Sequence, residues 1–304
     1  MAVYRSTDLA KAAPPIGHEQ LRRQLCRREP QAVQLLVRLW DRQKNDPTYA
    51  QLRQMILTGQ VDAETIQRWQ QQYSRFVTGA LMPLWREMTQ EAVGAFAERW
   101  PGWSFAPNTE QIAAYTARHA AELVTASTGQ QIEAVRAMVQ RAATVQDLTV
   151  DQLARILRPV IGLYKGQAVA NLNYYTAVRR QLLQNHPHRK AAAIERQAQE
   201  AALRYAEKQH RYRAHMIART ELAFGYNNGE YNAVRQAQAR GYLGRVQKRP
   251  VSAGDERVCP LCKTLEQETV EIDQPFSNGR MFAPFHPHCR CAMDYIETER
   301  EMNA

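Results

Sequence analysis

Four of the five cysteines of this chain lie close together near its C-terminal end, and they come as two pairs. Cys259 and Cys262 form a C-x2-C pair, whereas Cys289 and Cys291 belong to the run HPHCRC. A C-x2-C turn directs two thiolates at one centre, and zinc needs four soft donors arranged as a tetrahedron. The spacing therefore predicts that this part of the chain folds around a structural metal ion, Zn2+.

The candidate ligands outnumber the four positions of tetrahedral zinc. Cys259 and Cys262 are the best supported, and the second pair is next, with His286 able to replace one of its members. His288 stands directly beside Cys289, so its participation would require a contorted turn, and we interpret it as a surface histidine. The predicted ligand candidates are Cys259, Cys262, His286, Cys289 and Cys291.

Two other interpretations of the cysteines are weaker. A redox C-x2-C pair lies at the start of a helix after a strand; here a strand precedes Cys259, but residues 263–275 resemble a loop and strand, and the second pair would have no role. A catalytic zinc site keeps an open position beside a general base, as in H-x-E or H-E-x-x-H motifs, and neither motif occurs. The metal is therefore expected to be structural.

Length and composition indicate a globular protein of one large or two ordinary domains, because the chain has 304 residues and is 44% apolar. We expect no signal peptide, since no apolar stretch follows the opening MAVYRSTDLAKAAPP, and no membrane contact, since no run of about 18 apolar residues occurs. An odd number of cysteines, four of them crowded together, argues against a secreted disulfide scaffold. Folding in a reducing cytoplasm is the simplest expectation.

Most of the sequence has helical periodicity. Apolar residues recur every three or four positions from Asp62, a predicted N-cap, to Phe96, with a kink expected at Pro83 and a break at WPGW (100–103). Thr149 and Gln152 have the spacing of a capping box. The other predicted helices span about 18–28, 31–43, 47–58, 109–127, 129–144, 164–185 and 189–240, the last with a break near Gly225 or Asn228.

Beyond Gly241 the segments YLGRVQKRPVS and ETVEI resemble short strands on either side of the first cysteine pair. The predicted fold class is therefore mainly α, with a helical N-terminal and central region and a small C-terminal α+β element stabilised by zinc. We predict a helical N-terminal region at 1–140 and a second domain at 141–304, with the metal-binding element at about 245–295.

Positive charge is concentrated in one part of the chain, whose net charge is +10. Residues 189–249 contain 13 Arg or Lys and 5 Glu, a net charge of +8. Such a block is typical of proteins that contact phosphates or an acidic partner, although a solvated helix face would explain it equally well. The predicted contacts to nucleic acid are made by Arg204, Lys208, Arg211 and Arg213.

Arg219 and Glu221 stand among apolar residues in the segment MIARTELAF. A spacing of two places them on different faces of a helix, so each is expected to bond to its own neighbour. A charged residue in such surroundings is often a buried anchor that bonds to another element, here the metal element. A catalytic or phosphate-binding pair is the less favoured interpretation.

Four short motifs in order resemble the Mu F-like minor head proteins of tailed bacteriophages and prophages. The motifs are IARTE (217–221), YNNG (226–229), DERVCPLC (255–262) and PFHPHCRC (284–291), and the resemblance covers about 150–295. It implies a non-enzymatic head-morphogenesis protein, assembled in the bacterial host cytoplasm and incorporated in the head interior near the portal. Implied partners are the portal protein, scaffold or major capsid protein, and packaged DNA. Within YNNG, Asn227 is expected to be a third anchor beside Arg219 and Glu221.

Two alternative functions remain open on the sequence. The first is a zinc-stabilised DNA-processing nuclease, in which His286 or His288 would activate water and a following helix would supply a further metal ligand. The second is a DNA-binding protein with a zinc module, which would need a base-reading helix after the second cysteine pair. The few residues that follow Cys291 argue against the first, and their acidic sequence, AMDYIETEREMNA, argues against the second.

Overall fold

The protein was analysed as a computed structural model that describes residues 16–98, 103–106, 109–145 and 148–299. The described chain is mainly helical with one small antiparallel sheet, which confirms the predicted fold class. None of its described helices combines the length and hydrophobicity needed to cross a bilayer. The elements are α1 (Ile16–Asn45), α2 (Tyr49–Thr58), α3 (Ala63–Phe76), α4 (Met82–Ala97), α5 (Glu110–Ala142), α6 (Val150–Leu157), α7 (Lys165–Asn185), α8 (Ala191–Ala239), β1 (Arg245–Val251), α9 (Pro260–Leu265), β2 (Val270–Glu271) and β3 (Ala292–Glu299).

Two predicted helix starts are confirmed. The Asp62 carboxylate caps α3 by accepting a hydrogen bond of 2.8 Å from the backbone N–H of Thr65. Thr149 and Gln152 form the reciprocal capping box of α6, with distances of 3.2 and 2.8 Å. Both caps satisfy backbone N–H groups that the first turn of a helix leaves without partners.

Several predicted helix ends are wrong. α1 continues through Pro30, because buried Leu25 and Ala32 on either side hold it in place. α5 likewise runs through Gly129 as one helix. The predicted helix from Asp62 to Phe96 is instead two α-helices joined by a π-helical segment at 77–81, with Pro83 in the first turn of α4. The break expected at WPGW lies outside the described residues, except for Trp103.

α8 is continuous over Gly225 and Asn228, where a break was expected. The glycines instead mark a close contact with α4. A Cβ on Gly225 would lie 2.9 Å from the Cα of Trp85, and one on Gly229 would lie 2.7 Å from the Cα of Thr89. The Thr89 hydroxyl also donates a 3.0 Å hydrogen bond to the Gly225 carbonyl. Only glycine lets the two backbones approach so closely, so these residues reflect packing rather than a turn.

The chain forms two compact units, and neither is one continuous stretch of sequence. Unit 1 comprises the described parts of Met1–Ala32, Leu81–Ala114 and Met216–Ala304, and unit 2 those of Val33–Ala80 and Tyr115–His215. The proposed boundary near residue 140 stays a prediction.

Unit 2 has a helical core to which α2, α3, α5, α6, α7 and the first half of α8 contribute. Every one of those helices contributes apolar side chains that are almost completely excluded from solvent. They include Leu52, Trp69, Met138, Leu157, Leu172, Tyr175 and Ala202.

Unit 1 contains the sheet, in the strand order β2-β1-β3 with both pairings antiparallel. β1 and β3 pair from Val246 opposite Glu297 to Val251 opposite Ala292. The sequence did not lead us to expect β3, because the acidic residues of this segment obscured its alternation. The strand is positioned by the β1 pairing and by its buried first residues, Ala292 and Met293.

Candidate metal centre

The first cysteine pair is positioned by the short helix α9. Cys259 is its N-cap, and its sulfur accepts a 3.4 Å hydrogen bond from the backbone N–H of Cys262. Pro260 follows in the first helical turn, where its fixed φ angle favours helix formation. The expectation that 263–275 contains no helix is thus wrong for its first residues, because the cap and proline start a helix that ends at Leu265. The Cys259 sulfur contacts His286, and the Cys262 sulfur contacts both His286 and Cys289.

The second pair lies in the loop that leads into β3. The backbone N–H of Cys289 donates a 3.1 Å hydrogen bond to the carbonyl of His286, which folds this loop back on itself. Cys289 and Cys291 are both buried, with 1% and 3% of their surface exposed. The loop therefore presents its histidine and thiols to α9 in a site that is largely closed to solvent.

The donor atoms have the separations that one metal ion requires. The Nε2 atom of His286 lies 3.1 Å from the sulfur of Cys259 and 3.1 Å from that of Cys262. The sulfurs of Cys262 and Cys289 are 3.9 Å apart. Two sulfurs bound at about 2.3 Å to a tetrahedral zinc ion lie about 3.8 Å apart. The separation of Cys262 and Cys289 therefore fits two ligands of one tetrahedral zinc ion.

His286 has the orientation of a metal ligand. Its Nδ1 atom lies 2.7 Å from the carbonyl oxygen of Pro287, which can only accept a hydrogen bond. Nδ1 must therefore carry the proton, which leaves the lone pair of Nε2 directed at the thiols. A backbone carbonyl that fixes the tautomer in this way is the usual environment of a metal-bound histidine.

The candidate ligands form two overlapping groups that share Cys262. One group is Cys259, Cys262 and His286, and the other is Cys262, Cys289 and Cys291; within each, the donor atoms lie within 4.8 Å of one another. The five residues thus form a possible metal-binding site, and four of them would complete a tetrahedron.

Electrostatics within the cluster favour a cation. Hydrogen bonding to Cys289 raises the pKa of Cys262, and hydrogen bonding to Cys262 raises the pKa of Cys291. The pKa of Cys289 is lowered because the neighbouring thiols donate to its sulfur. Three crowded sulfurs thus share protons instead of ionising together. A divalent cation would remove this restriction, since metal ligation requires thiolates.

An ion pair joins the loops that carry the two cysteine pairs. Arg290 donates two hydrogen bonds, of 2.7 and 2.6 Å, to the carboxylate of Asp255. These bonds lower the pKa of Asp255, and Arg257 supports the same carboxylate from its own loop. Arg290 lies between Cys289 and Cys291, so this fork fixes the second pair relative to the approach to Cys259.

α8 holds the second cysteine pair through two polar side chains. The Thr220 hydroxyl accepts a 3.1 Å hydrogen bond from the backbone N–H of His288, and the side-chain amide of Asn227 donates a 3.3 Å bond to the carbonyl of Cys291. His288 is half-buried with a φ angle of 64°, and it belongs to neither group of clustered donors, in agreement with its exclusion from the candidate ligands. The positive φ angle is the contorted turn that the sequence predicts at this position. The hydrogen bond to Thr220 stabilises this turn.

The predicted anchors do not all contact the metal element. Arg219 makes a two-pronged ion pair with Glu29 of α1, at 3.0 and 3.2 Å, and not a bond to the metal element. Glu221 is buried, with 5% of its surface exposed. Asn227 does reach the metal element, whereas the contribution of Thr220 was missed. The only signal for Thr220 was its place inside the motif IARTE.

The four basic residues chosen as nucleic-acid contacts do not share one environment. Arg204, Lys208 and Arg211 are exposed on α8. Arg213 is fully buried: it bonds to the carbonyl of Gly162 and, at 2.7 Å, to Gln130, and it lies over the ring of Trp40. A side chain in this position cannot reach a phosphate, so that assignment is wrong for Arg213.

Comparison with known families supports the resemblance seen in the motifs. Residues 167–294 match the family described as Phage Mu protein F like protein, and the matched segment includes α8, the sheet and all five candidate ligands. No curated protein and no solved structure matches the chain. The predicted relationship to Mu F-like phage proteins is therefore confirmed over this segment.

Proposed function

We propose, because residues 167–294 match the Mu F-like phage family, that this chain is a structural head-morphogenesis protein of a tailed phage or prophage. It is incorporated in the head near the portal and contacts portal protein and packaged DNA. The observation that carries the proposal is that the matched segment contains two overlapping groups of candidate metal ligands, which α8 contacts through Thr220 and Asn227.

The metal in this proposal is zinc, in a structural role. The donor set is rich in thiolates and contains one imidazole, which suits zinc better than the oxygen-binding cations. The five candidate donors outnumber the four positions of tetrahedral zinc, so we propose that protein atoms occupy all four positions. A zinc ion held this way stabilises the surrounding loops and is not arranged to activate a nucleophile.

The geometry gives less support to the two alternative functions. A nuclease of the type considered would need a further metal ligand on a helix after Cys291, and a DNA-reading zinc module would need a recognition helix there. The chain instead continues as β3, paired to β1 along its length. We therefore favour a non-enzymatic role in which α8 and the metal element form one scaffold.

Particle assembly tests this function. The chain should be produced together with the portal and capsid proteins of the same phage genome, and particles should be purified and examined by mass spectrometry. We expect the wild-type chain and Cys26→Ser to be found in the particles, since Cys26 is exposed and outside the cluster. Cys262→Ser should be absent or strongly depleted. Normal particles that never contain the wild-type chain would overturn the proposal.

DNA contact predicts a specific salt dependence. Replacing Arg204, Lys208 and Arg211 together with Gln preserves helix propensity and removes three exposed positive charges. Because each phosphate contact contributes about 0.9 to the slope of log affinity against log salt, we expect that slope to fall by up to about 3. Fluorescence anisotropy with labelled duplexes of two unrelated sequences measures both affinity and sequence dependence.

A matched triple variant controls for net charge. Arg118→Gln, Arg136→Gln and Arg280→Gln also remove three exposed positive charges, but from outside α8. This control should retain most of the affinity and salt slope. If both triple variants bind DNA like the wild type, the charges of α8 serve an acidic protein partner instead, and the portal protein is then the one to test.

A further inference from the structure

A groove in unit 2 brings three arginines together outside the basic block 189–249. It lies between the end of α5 and the second half of α7 and encloses about 370 Å³. Arg141, Arg179 and Arg180 line it together with apolar residues that include Val145 and Leu183. We call this feature the arginine groove. Its volume lies in the range of small-molecule sites and would accommodate one nucleotide unit.

Two of the guanidinium groups are held in place by neighbouring side chains. Arg141 donates through Nε to Asn173 at 3.2 Å and through Nη1 to the Thr144 hydroxyl at 2.8 Å. Arg179 approaches the Glu195 carboxylate through Nε at 3.4 Å. Each arginine thus uses part of its donor set to fix its orientation and keeps further N–H groups for a ligand.

Arg180 is exposed and makes no hydrogen bond or ion pair with any other residue in the described ranges. It lies on α7 next to Arg179, at the edge of the groove. Its guanidinium donors are therefore all available to a ligand that carries negative charge.

The charge of the groove is only partly balanced. Glu195 is the carboxylate paired with Arg179, and it also accepts bonds from Tyr175 at 2.6 Å, Gln152 at 2.9 Å and Gln199 at 2.6 Å. Its oxygens are therefore fully used within the protein. Three guanidinium groups against one carboxylate leave an excess of two positive charges.

These features favour a nucleotide over an acidic peptide. Guanidinium groups bind phosphate oxygens through paired N–H groups, and an excess of two charges matches two successive phosphodiesters. The apolar side chains of Val145 and Leu183 would face the sugar or base of a nucleotide. An acidic peptide, with its successive carboxylates, has no equivalent group to place there. The geometry points to the arginine groove as a binding site for the phosphodiester backbone of a polynucleotide. This inference deepens the DNA contact of the proposed function and depends on it.

The test compares two double variants of the full chain in binding to a labelled DNA duplex. Arg179→Gln with Arg180→Gln removes two charges from the groove, whereas Arg118→Gln with Arg136→Gln removes two exposed charges from α5 outside it. We expect the groove variant to bind about tenfold more weakly with a salt slope lower by about 2, and the control to change far less. Equal affinities for the two variants would overturn the inference, provided that their thermal unfolding is the same.

Competition identifies the source of the phosphate. ATP and inorganic pyrophosphate are titrated against the wild-type complex with DNA at constant ionic strength. If a polynucleotide is the ligand, ATP and pyrophosphate should displace the DNA only weakly. If ATP or pyrophosphate displaces DNA from the wild-type chain at micromolar concentration, but not from the groove variant, the groove binds a free nucleotide. That result would overturn the inference that its ligand is a polynucleotide. If the wild-type chain binds no DNA, the inference about the arginine groove is also overturned. Incorporation of the chain in phage heads would be unaffected by that result, so failure of the groove inference and failure of the proposed function are distinguishable.

Discussion

Purified protein should contain one zinc ion per chain, and Cys262→Ser should lose both the ion and the folded structure of about 245–295. Cys262 belongs to both groups of candidate ligands, and without it neither group keeps its three donors within 4.8 Å of one another. Structural zinc contributes apparent binding energies on the order of 10 kcal/mol, which exceeds what a sheet of three short strands supplies alone. Elemental analysis and thermal unfolding, with and without a chelator, measure the effect.

The surplus donor provides an internal comparison for this prediction. Cys289→Ser and Cys291→Ser should differ, because only one of these residues is needed beside Cys259, Cys262 and His286 to complete four positions. The variant that keeps its zinc identifies the surplus thiol. Cys26→Ser is the control, since its thiol is exposed on α1. Protein that contains no metal, and whose unfolding temperature does not respond to a chelator, would contradict the prediction.

Gly162→Ala should lower the free energy of unfolding by about 3 kcal/mol, through two separate causes. Gly162 has a φ angle of 94°, which a residue with a side chain adopts only at a cost of about 1–3 kcal/mol. Its added Cβ would also lie 2.5 Å from Cγ of Trp40, a buried ring. Overpacking of this kind adds about 1–3 kcal/mol.

Trp40 has little freedom to move away from the added methyl group. Its indole N–H donates a 2.9 Å bond to the Tyr73 hydroxyl, and the guanidinium of Arg213 lies 5.4 Å from its ring centre. Displacement of the ring would also disturb Arg213, which bonds to the Gly162 carbonyl itself. The variant therefore tests whether the buried arginine, tryptophan and glycine form one packed unit.

Gly59→Ala separates the two causes. Gly59 also has a positive φ angle, 68°, but a Cβ there would meet no atom within 4 Å. It should therefore show only the backbone cost, about 1 kcal/mol. Urea unfolding of both variants gives the comparison. Equal losses for the two glycines would show that the contact with Trp40 contributes nothing.

Local chemistry made several features predictable from the sequence. Asp62 and the Thr149–Gln152 box cap their helices through bonds that span only three residues, so their spacing alone specifies them. The cysteine turn is equally local, because Cys259 caps α9 and places Cys262 beside it. The second half of the cluster was found because the residue types themselves, a histidine and two thiols, indicate the metal chemistry.

Non-local contacts caused the predictions that failed. Gly225 and Gly229 resemble a helix break, but the required space is set by α4, more than 130 residues earlier in the chain. Arg213 resembles its exposed neighbour Arg211, and only the approach of Trp40 and Gly162 shows that one is buried and the other is not. Arg219 was expected to meet the metal element, whereas its carboxylate partner is Glu29 of α1.

The sequence by itself determined the mainly helical fold class, the capped helix starts, the candidate metal ligands and the relationship to Mu F-like proteins over 167–294. These depend on residue types and short spacings, which a linear chain displays directly. The tertiary structure alone decided that Thr220 and Asn227 hold the second cysteine pair, that β3 completes the sheet, and that three arginines share one groove. Each of these three features joins residues that are far apart in the chain. These residues come close together because whole helices pack against one another to bury apolar surface.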